Sequence, residues 1–162
     1  MKRSLRYALA ALALGLAAPA LAQTATANLA VSATVINNCS ISANPIVFGN
    51  YDPVAATAVD GAGSVVVTCT ASRAWWVGLG AGSGGATAGV SRSMSLGASR
   101  LGYELYSDSG RSTVWGNTQP TGVGGTGSGA AQTVPVYGRV AAGQTTVPAG
   151  AYADSVVATV NF

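Results

Sequence analysis

The chain has 162 residues, 8 Lys or Arg against 5 Asp or Glu, and no histidine, for a formal net charge of +3. Lys2, Arg3 and Arg6 lie together ahead of an Ala/Leu stretch, so the positive excess is local; the remaining arginines (Arg73, Arg92, Arg100, Arg111 and Arg139) only balance the carboxylates. Five scattered arginines without lysine exclude a phosphate-tracking nucleic-acid groove, and the missing histidine removes the commonest general base and metal ligand.

In chain order, the first element is a secretory signal. The basic n-region runs into an uncharged Ala8–Ala18 core, and Ala20-Leu21-Ala22 supplies small residues at −3 and −1. The core is too short for a membrane anchor, so residues 1–22 are expected to be removed before Gln23. No helical period follows. Short β-rich runs alternate with Gly, Ser, Thr and Pro, the pattern of a sandwich or barrel. Leu29, Val31, Ala33 and Val35 share one face of a first strand, and Asn38-Cys39-Ser40-Ile41 begins a second. Ile46-Val47-Phe48 follows, then Ser64–Thr70, which is apolar on both faces like a central strand. Ala74–Leu79, Ser93–Leu96, Leu101–Tyr106 and Thr113–Trp115 come next. Thr133–Val140 contains Pro135, so one flank of that strand is expected at an edge or bulge. The last strand is expected to run from Tyr152 to Phe162.

Cys39 and Cys69 are the only cysteines. In an exported chain they are expected to form a disulfide, and closing a loop of about 30 residues contributes roughly 3–4 kcal/mol. A metal pair would lack its two further ligands. The glycine-rich stretches 78–89 and 116–129 contain G-x-G-x-x-G by letter, at Gly80/Gly82/Gly85 and Gly122/Gly124/Gly127. No helix can open on the third glycine, so they read as surface loops and not as a dinucleotide fingerprint.

Without His or Lys after residue 22, only carboxylates and tyrosines are left for acid–base work. Asp52, Asp60, Glu104, Asp108 and Asp154 all read as strand-end or turn residues, solvated or bonded to backbone. No catalytic residue, metal, cofactor or small-molecule substrate is expected. Trp75 and Trp76 must point to opposite faces of a regular strand, so at most one is core and the other is a contact residue.

The chain ends on Val156-x-Ala158-x-Val160-x-Phe162. Such an ending suits an outer-membrane barrel or a strand captured by a periplasmic pilus chaperone, but a barrel needs longer strands and aromatic girdles. Ordered motifs fill the second half: Tyr103-Glu104-Leu105-Tyr106-Ser107-Asp108, Trp115-Gly116, Pro135-Val136-Tyr137-Gly138-Arg139-Val140, and Pro148-Ala149-Gly150-Ala151-Tyr152-Ala153-Asp154. In these the chain resembles the spore coat protein U domain family, which includes subunits of archaic (Csu-type) chaperone–usher pili. Asn38-Cys39 and Val67-Thr68-Cys69 extend the resemblance over the chain after the signal, loosely between Ala71 and Ser99.

The resemblance implies an all-β fold: an incomplete immunoglobulin-like β-sandwich over 37–162, completed by a donor strand. It implies that residues 23–36 are the donor segment for another subunit, with Leu29, Val31, Ala33 and Val35 filling its groove. Val156, Ala158, Val160 and Phe162 would border this chain's own acceptor groove and pair with the chaperone. The implied partners are a periplasmic pilus chaperone, an outer-membrane usher and other copies or related subunits. The implied location is the cell surface, reached through the periplasm, and the implied task is adhesion or biofilm formation. The residues alone leave open an outer-membrane β-barrel, or a self-contained secreted binding domain whose first strand completes its own sandwich.

Overall fold

The structure is a computed structural model that describes residues 22–84 and 91–162. The signal segment up to Leu21, and Gly85 and Gly89 of the first glycine-rich stretch, lie outside the described residues. The chain divides into two units, one ending at Thr34 and the other spanning Val35–Phe162. In the first unit, residues 22–34 form no strand, and Leu29 and Val31 are 88% and 86% exposed. The strand expected there is therefore absent. Alternation alone does not make a strand, because its backbone groups need a ladder partner.

Among its described residues the second unit holds eight strands: β1 (Cys39–Asn44), β2 (Val59–Cys69), β3 (Ala74–Leu79), β4 (Arg92–Leu96), β5 (Ser99–Tyr106), β6 (Val123–Thr126), β7 (Gln132–Val140) and β8 (Ala158–Asn161). All pairings are antiparallel. One sheet runs β1-β2-β7-β5-β4 and the other β6-β3-β8. These are two open sheets, not a closed barrel. Strict alternation explains the core. Val65, Val67 and Cys69 of β2, Leu101, Tyr103 and Leu105 of β5, and Val136 and Val140 of β7 point inward and are buried. From the other sheet Trp75, Val77 and Leu79 of β3 meet them. Trp115, fully buried, plugs the core from outside any strand, and its indole N–H donates to the Val77 carbonyl at 2.9 Å.

Cys39 and Cys69 lie opposite each other in the β1–β2 ladder and are joined by a disulfide, with Cα atoms 4.1 Å apart. Pro135 faces Ser64 of β2, while β5 pairs with β7 only at Tyr137–Arg139. One flank of the strand at Pro135 is thus unpaired inside an otherwise inner strand, as its missing N–H requires.

Three other expectations change. Ile46-Val47-Phe48 is not a strand. It crosses the inner face of β2 and β7 where those strands lack side chains: a Cβ on Gly63 would lie 2.6 Å from Ile46, and one on Gly138 2.7 Å from the Phe48 ring. Ile46 and Phe48 thus supply from outside the sheet the bulk that the glycines omit. Thr113–Trp115 contributes a single bridge, Val114 to Tyr106. The second glycine-rich stretch is not all loop, because Val123–Thr126 forms β6 against β3. There Gly125 lies against Trp75, whose ring a Cβ would meet at 2.5 Å.

Candidate functional site

The last strand is shorter than its alternation suggests. Only Ala158–Asn161 pairs, with Leu79–Trp76 of β3, while Ala153 bridges back to Ser95 of β4. Residues 154–157 between these contacts belong to neither ladder. Opposite them the chain leaves β1 at Asn44 and crosses through Ile46 to Phe48. Between the two walls the sandwich is open, and a cavity of about 490 Å³ remains. Its floor is apolar: Val65, Leu79, Leu105 and Val136 are buried core residues that also line it. Ile46 and Phe48 close one side, and Tyr152, Val156 and Ala158 the other.

Each wall ends in an unpaired edge. Among the described residues β1 pairs only with β2, and β8 only with β3. An edge with idle N–H and C=O groups beside an apolar slot is a template for a further strand. Of the residues expected to border a groove, Val156 and Ala158 line the cavity, Val160 packs against the core, and Phe162 is 48% exposed beyond the end of β8. The structure brings the first two to one wall of the cavity. Leu29, Val31, Ala33 and Val35 are all exposed.

A polar latch holds the β8 wall. Asp154, in the cavity lining, accepts the Tyr103 hydroxyl at 2.6 Å through Oδ2. Its Oδ1 accepts the Ser83 amide at 2.6 Å, the Ser83 hydroxyl at 2.7 Å and the Ser155 amide at 2.7 Å. Burial works to raise the Asp154 pKa, but the hydrogen bonds from Tyr103, Ser83 and Ser155 outweigh it and hold the carboxyl below its ordinary 3.8. Burial, and then the bond to Asp154, push the Tyr103 phenol far above its ordinary range. The phenol therefore stays a donor at every physiological pH. Gly82 has φ +85 and sits against the same carboxylate, where a Cβ would clash.

Behind the latch lies a buried cation that sequence reasoning passed over. Arg92 is 1% exposed, pairs with Glu104, and donates to the carbonyls of Gly80 (2.9 Å), Leu79 (2.9 Å) and Trp115 (2.7 Å). It ties β4, β5, the end of β3 and the Trp115 segment together. The reading of every carboxylate as strand-end or turn is thereby corrected: Glu104 serves a buried ion pair and Asp154 an interior latch. Asp52 and Asp108 do cap turns, and Asp60 pairs with Arg139 and Arg111 at the surface. Among the described residues no three His, Cys, Asp or Glu side chains converge as a metal site would require.

The remaining motif residues brace this frame. Tyr106 faces Tyr137 across β5–β7, and Arg111 lies over the Tyr137 ring at 5.8 Å. The Tyr152 hydroxyl donates to the Pro148 carbonyl at 2.9 Å, and Gly150, at φ +154, lies against Leu96. Trp75 is the core member of its pair, and Trp76 is the half-buried one facing out.

Comparison with known proteins agrees with this architecture. The profile of the Spore Coat Protein U domain matches residues 25–159. Protein U of Myxococcus xanthus is 45% identical over 159 residues, covering 89% of this chain and 88% of that protein. Among solved structures, a chain of the CsuC–CsuE chaperone–tip adhesion subunit pre-assembly complex, from the archaic chaperone–usher Csu pili of Acinetobacter baumannii, has a TM-score of 0.58 at 23% identity. That match covers 80% of this chain and 40% of the other, so the likeness is one of fold and spans less than half of the longer chain.

Proposed function

The chain belongs to the Spore Coat Protein U domain family, and from that premise we propose that it is a structural subunit of a surface pilus, built by the chaperone–usher pathway through donor-strand complementation. The observation that carries this reading is the open, apolar-floored cavity flanked by the unpaired edges of β1 and β8. A fold left so is short of one strand. Residues 23–36 are the strand this subunit gives to another copy or a related subunit, and 37–162 is the domain that receives one. Leu29, Val31 and Val35 are the groove-fillers, with Ala33 on the same face. Three such side chains, each stabilising by roughly 1.5–3 kcal/mol on burial, contribute about 5–9 kcal/mol before ladder hydrogen bonds.

In this scheme residues 1–22 direct export, and a periplasmic chaperone covers the groove first, pairing with Val156–Phe162 and holding the Phe162 carboxylate. The outer-membrane usher then exchanges the chaperone for the next subunit's donor. The assembled fibre serves adhesion or biofilm formation at the cell surface. No catalytic step belongs to this reading.

Deletion of Thr24–Val35 is the direct test. The truncated subunit should still co-purify with its chaperone as a one-to-one complex but give no high-mass ladder and no fibres. Fibres assembled normally from the truncated subunit would overturn the donor assignment. A stable, chaperone-free monomer of the intact chain would overturn the incomplete fold.

A further inference from the structure

The outer face of the three-stranded sheet carries a second, shallower depression of about 200 Å³. Its walls follow from strand alternation. Trp75, Val77 and Leu79 point inward, so Trp76, Gly78 and Gly80 face out. The β3–β8 register sets Asn161 beside Trp76 and Thr159 beside Gly78, and both line the depression with Asn117 and the 68% exposed Val157. The glycines decide how the indole lies. A Cβ on buried Gly78 would meet the Asn117 backbone at 3.0 Å and the Trp76 Cζ3 atom at 3.1 Å, and one on Gly122 would meet the Val77 carbonyl oxygen at 2.7 Å and Trp76 Cε3 at 2.9 Å. The ring therefore lies down on the sheet between two positions without side chains; a side chain at either would lift it.

We propose that this depression is a subsite for one uncharged pyranose ring, with the Trp76 indole as the stacking platform. Asn117, Asn161 and Thr159 would meet the sugar hydroxyls. Pockets for drug-sized ligands run to ~300–1,000 Å³, so this one suits a single ring or the end of a glycan. A pyranose has an apolar C–H face and a rim of hydroxyls. An indole answers the first, and carboxamides, each both donor and acceptor, answer the second. Among the described residues no ionisable side chain lines the depression, so they offer a charged sugar no counter-ion. A wholly apolar occupant would leave both carboxamides without partners. The subsite lies on the opposite face of β3 and β8 from the strand-accepting cavity, so it stands or falls separately from the pilus reading.

Trp75 and Trp115 are 5% and 0% exposed, which makes Trp76 the tryptophan an added quencher reaches. The intact protein, in the complex in which it is isolated, is titrated with the methyl glycosides of glucose, galactose, mannose and N-acetylglucosamine while acrylamide quenching is followed. At least one sugar should give saturable protection. Affinity should fall about tenfold in Asn117→Ala and in Asn161→Ala, and by about tenfold or more in Trp76→Ala, with Trp76→Phe retaining part of it. For Trp76→Ala, which loses the reporter, binding is read by saturation-transfer NMR. The asparagine variants keep the test decisive if the tryptophan variant does not fold. The proposal is overturned if no neutral glycoside protects, or if the alanine variants bind as well as the parent. It is also overturned if Trp76 loses its quenching when copies associate without sugar, which would make it a contact between subunits.

Discussion

Asp154 is a surface-type residue placed where the open cavity needs a fixed wall. Its two oxygens take four hydrogen bonds, from Tyr103, from Ser155 and twice from Ser83. Together these tie the segment before β8 to β5 and to the end of the β3 loop. Because its pKa in the fold lies below the ordinary 3.8, the ionised carboxylate favours the folded state at neutral pH. That contribution is complete above the unfolded pKa and is lost as pH falls below about 4 toward the folded value. Asp154→Asn should therefore lower stability at pH 7 and flatten the acid limb of a stability–pH profile. Tyr103→Phe should cost about 1.5–3 kcal/mol at neutral pH, read from denaturant midpoints of the protein as isolated. Asp60 and Asp108, also held below their ordinary values, keep a residual acid limb in either variant.

The elements divide into those that carry their own signal and those that borrow one. β5 and β7 were legible because each residue declares its face by alternation, and Ser64–Cys69 of β2 because it is apolar on both faces; the first half of β2, Val59–Gly63, was hidden by its glycines. The Cys39–Cys69 pair was legible because two cysteines in an exported chain have little else to do. Ile46–Phe48 was not, since its place depends on glycines at 61, 63 and 138 that are remote in sequence. Gly138→Ala tests that dependence. It should destabilise by about 1–3 kcal/mol, and Phe48→Leu in the same background should recover part of the loss, measured as a double-mutant cycle. β6 hid in a glycine-rich run because Trp75 supplies the bulk that its partner Gly125 lacks. The candidate site was half visible. Val156, Ala158, Tyr103 and Asp154 were named, but nothing local links Tyr103 to Asp154, or Arg92 to Glu104 and three carbonyls. Those bonds exist only once β4, β5 and the C-terminal segment meet.

At the scale of the whole domain, the two walls of the cavity are secured by different means. On the β1 side a covalent bond joins the strand to its neighbour, and on the β8 side a four-residue ladder and the Asp154 latch do the work. Reduction, or Cys39→Ala with Cys69→Ala, should lower stability by roughly 3–4 kcal/mol. It should also speed amide exchange in β1 ahead of β8, as mass spectrometry of the protein as isolated would resolve. The placement of the disulfide has a mechanical side as well. Tension drawn along the chain from residue 38 arrives at Cys39, the first residue of β1, and crosses at once through sulfur to Cys69, the last residue of β2. The hydrogen bonds of β1 are thereby spared from being unzipped one by one, and the load passes into β2, which is flanked by a strand on either side. Such a joint carries pull without fraying its thinnest edge.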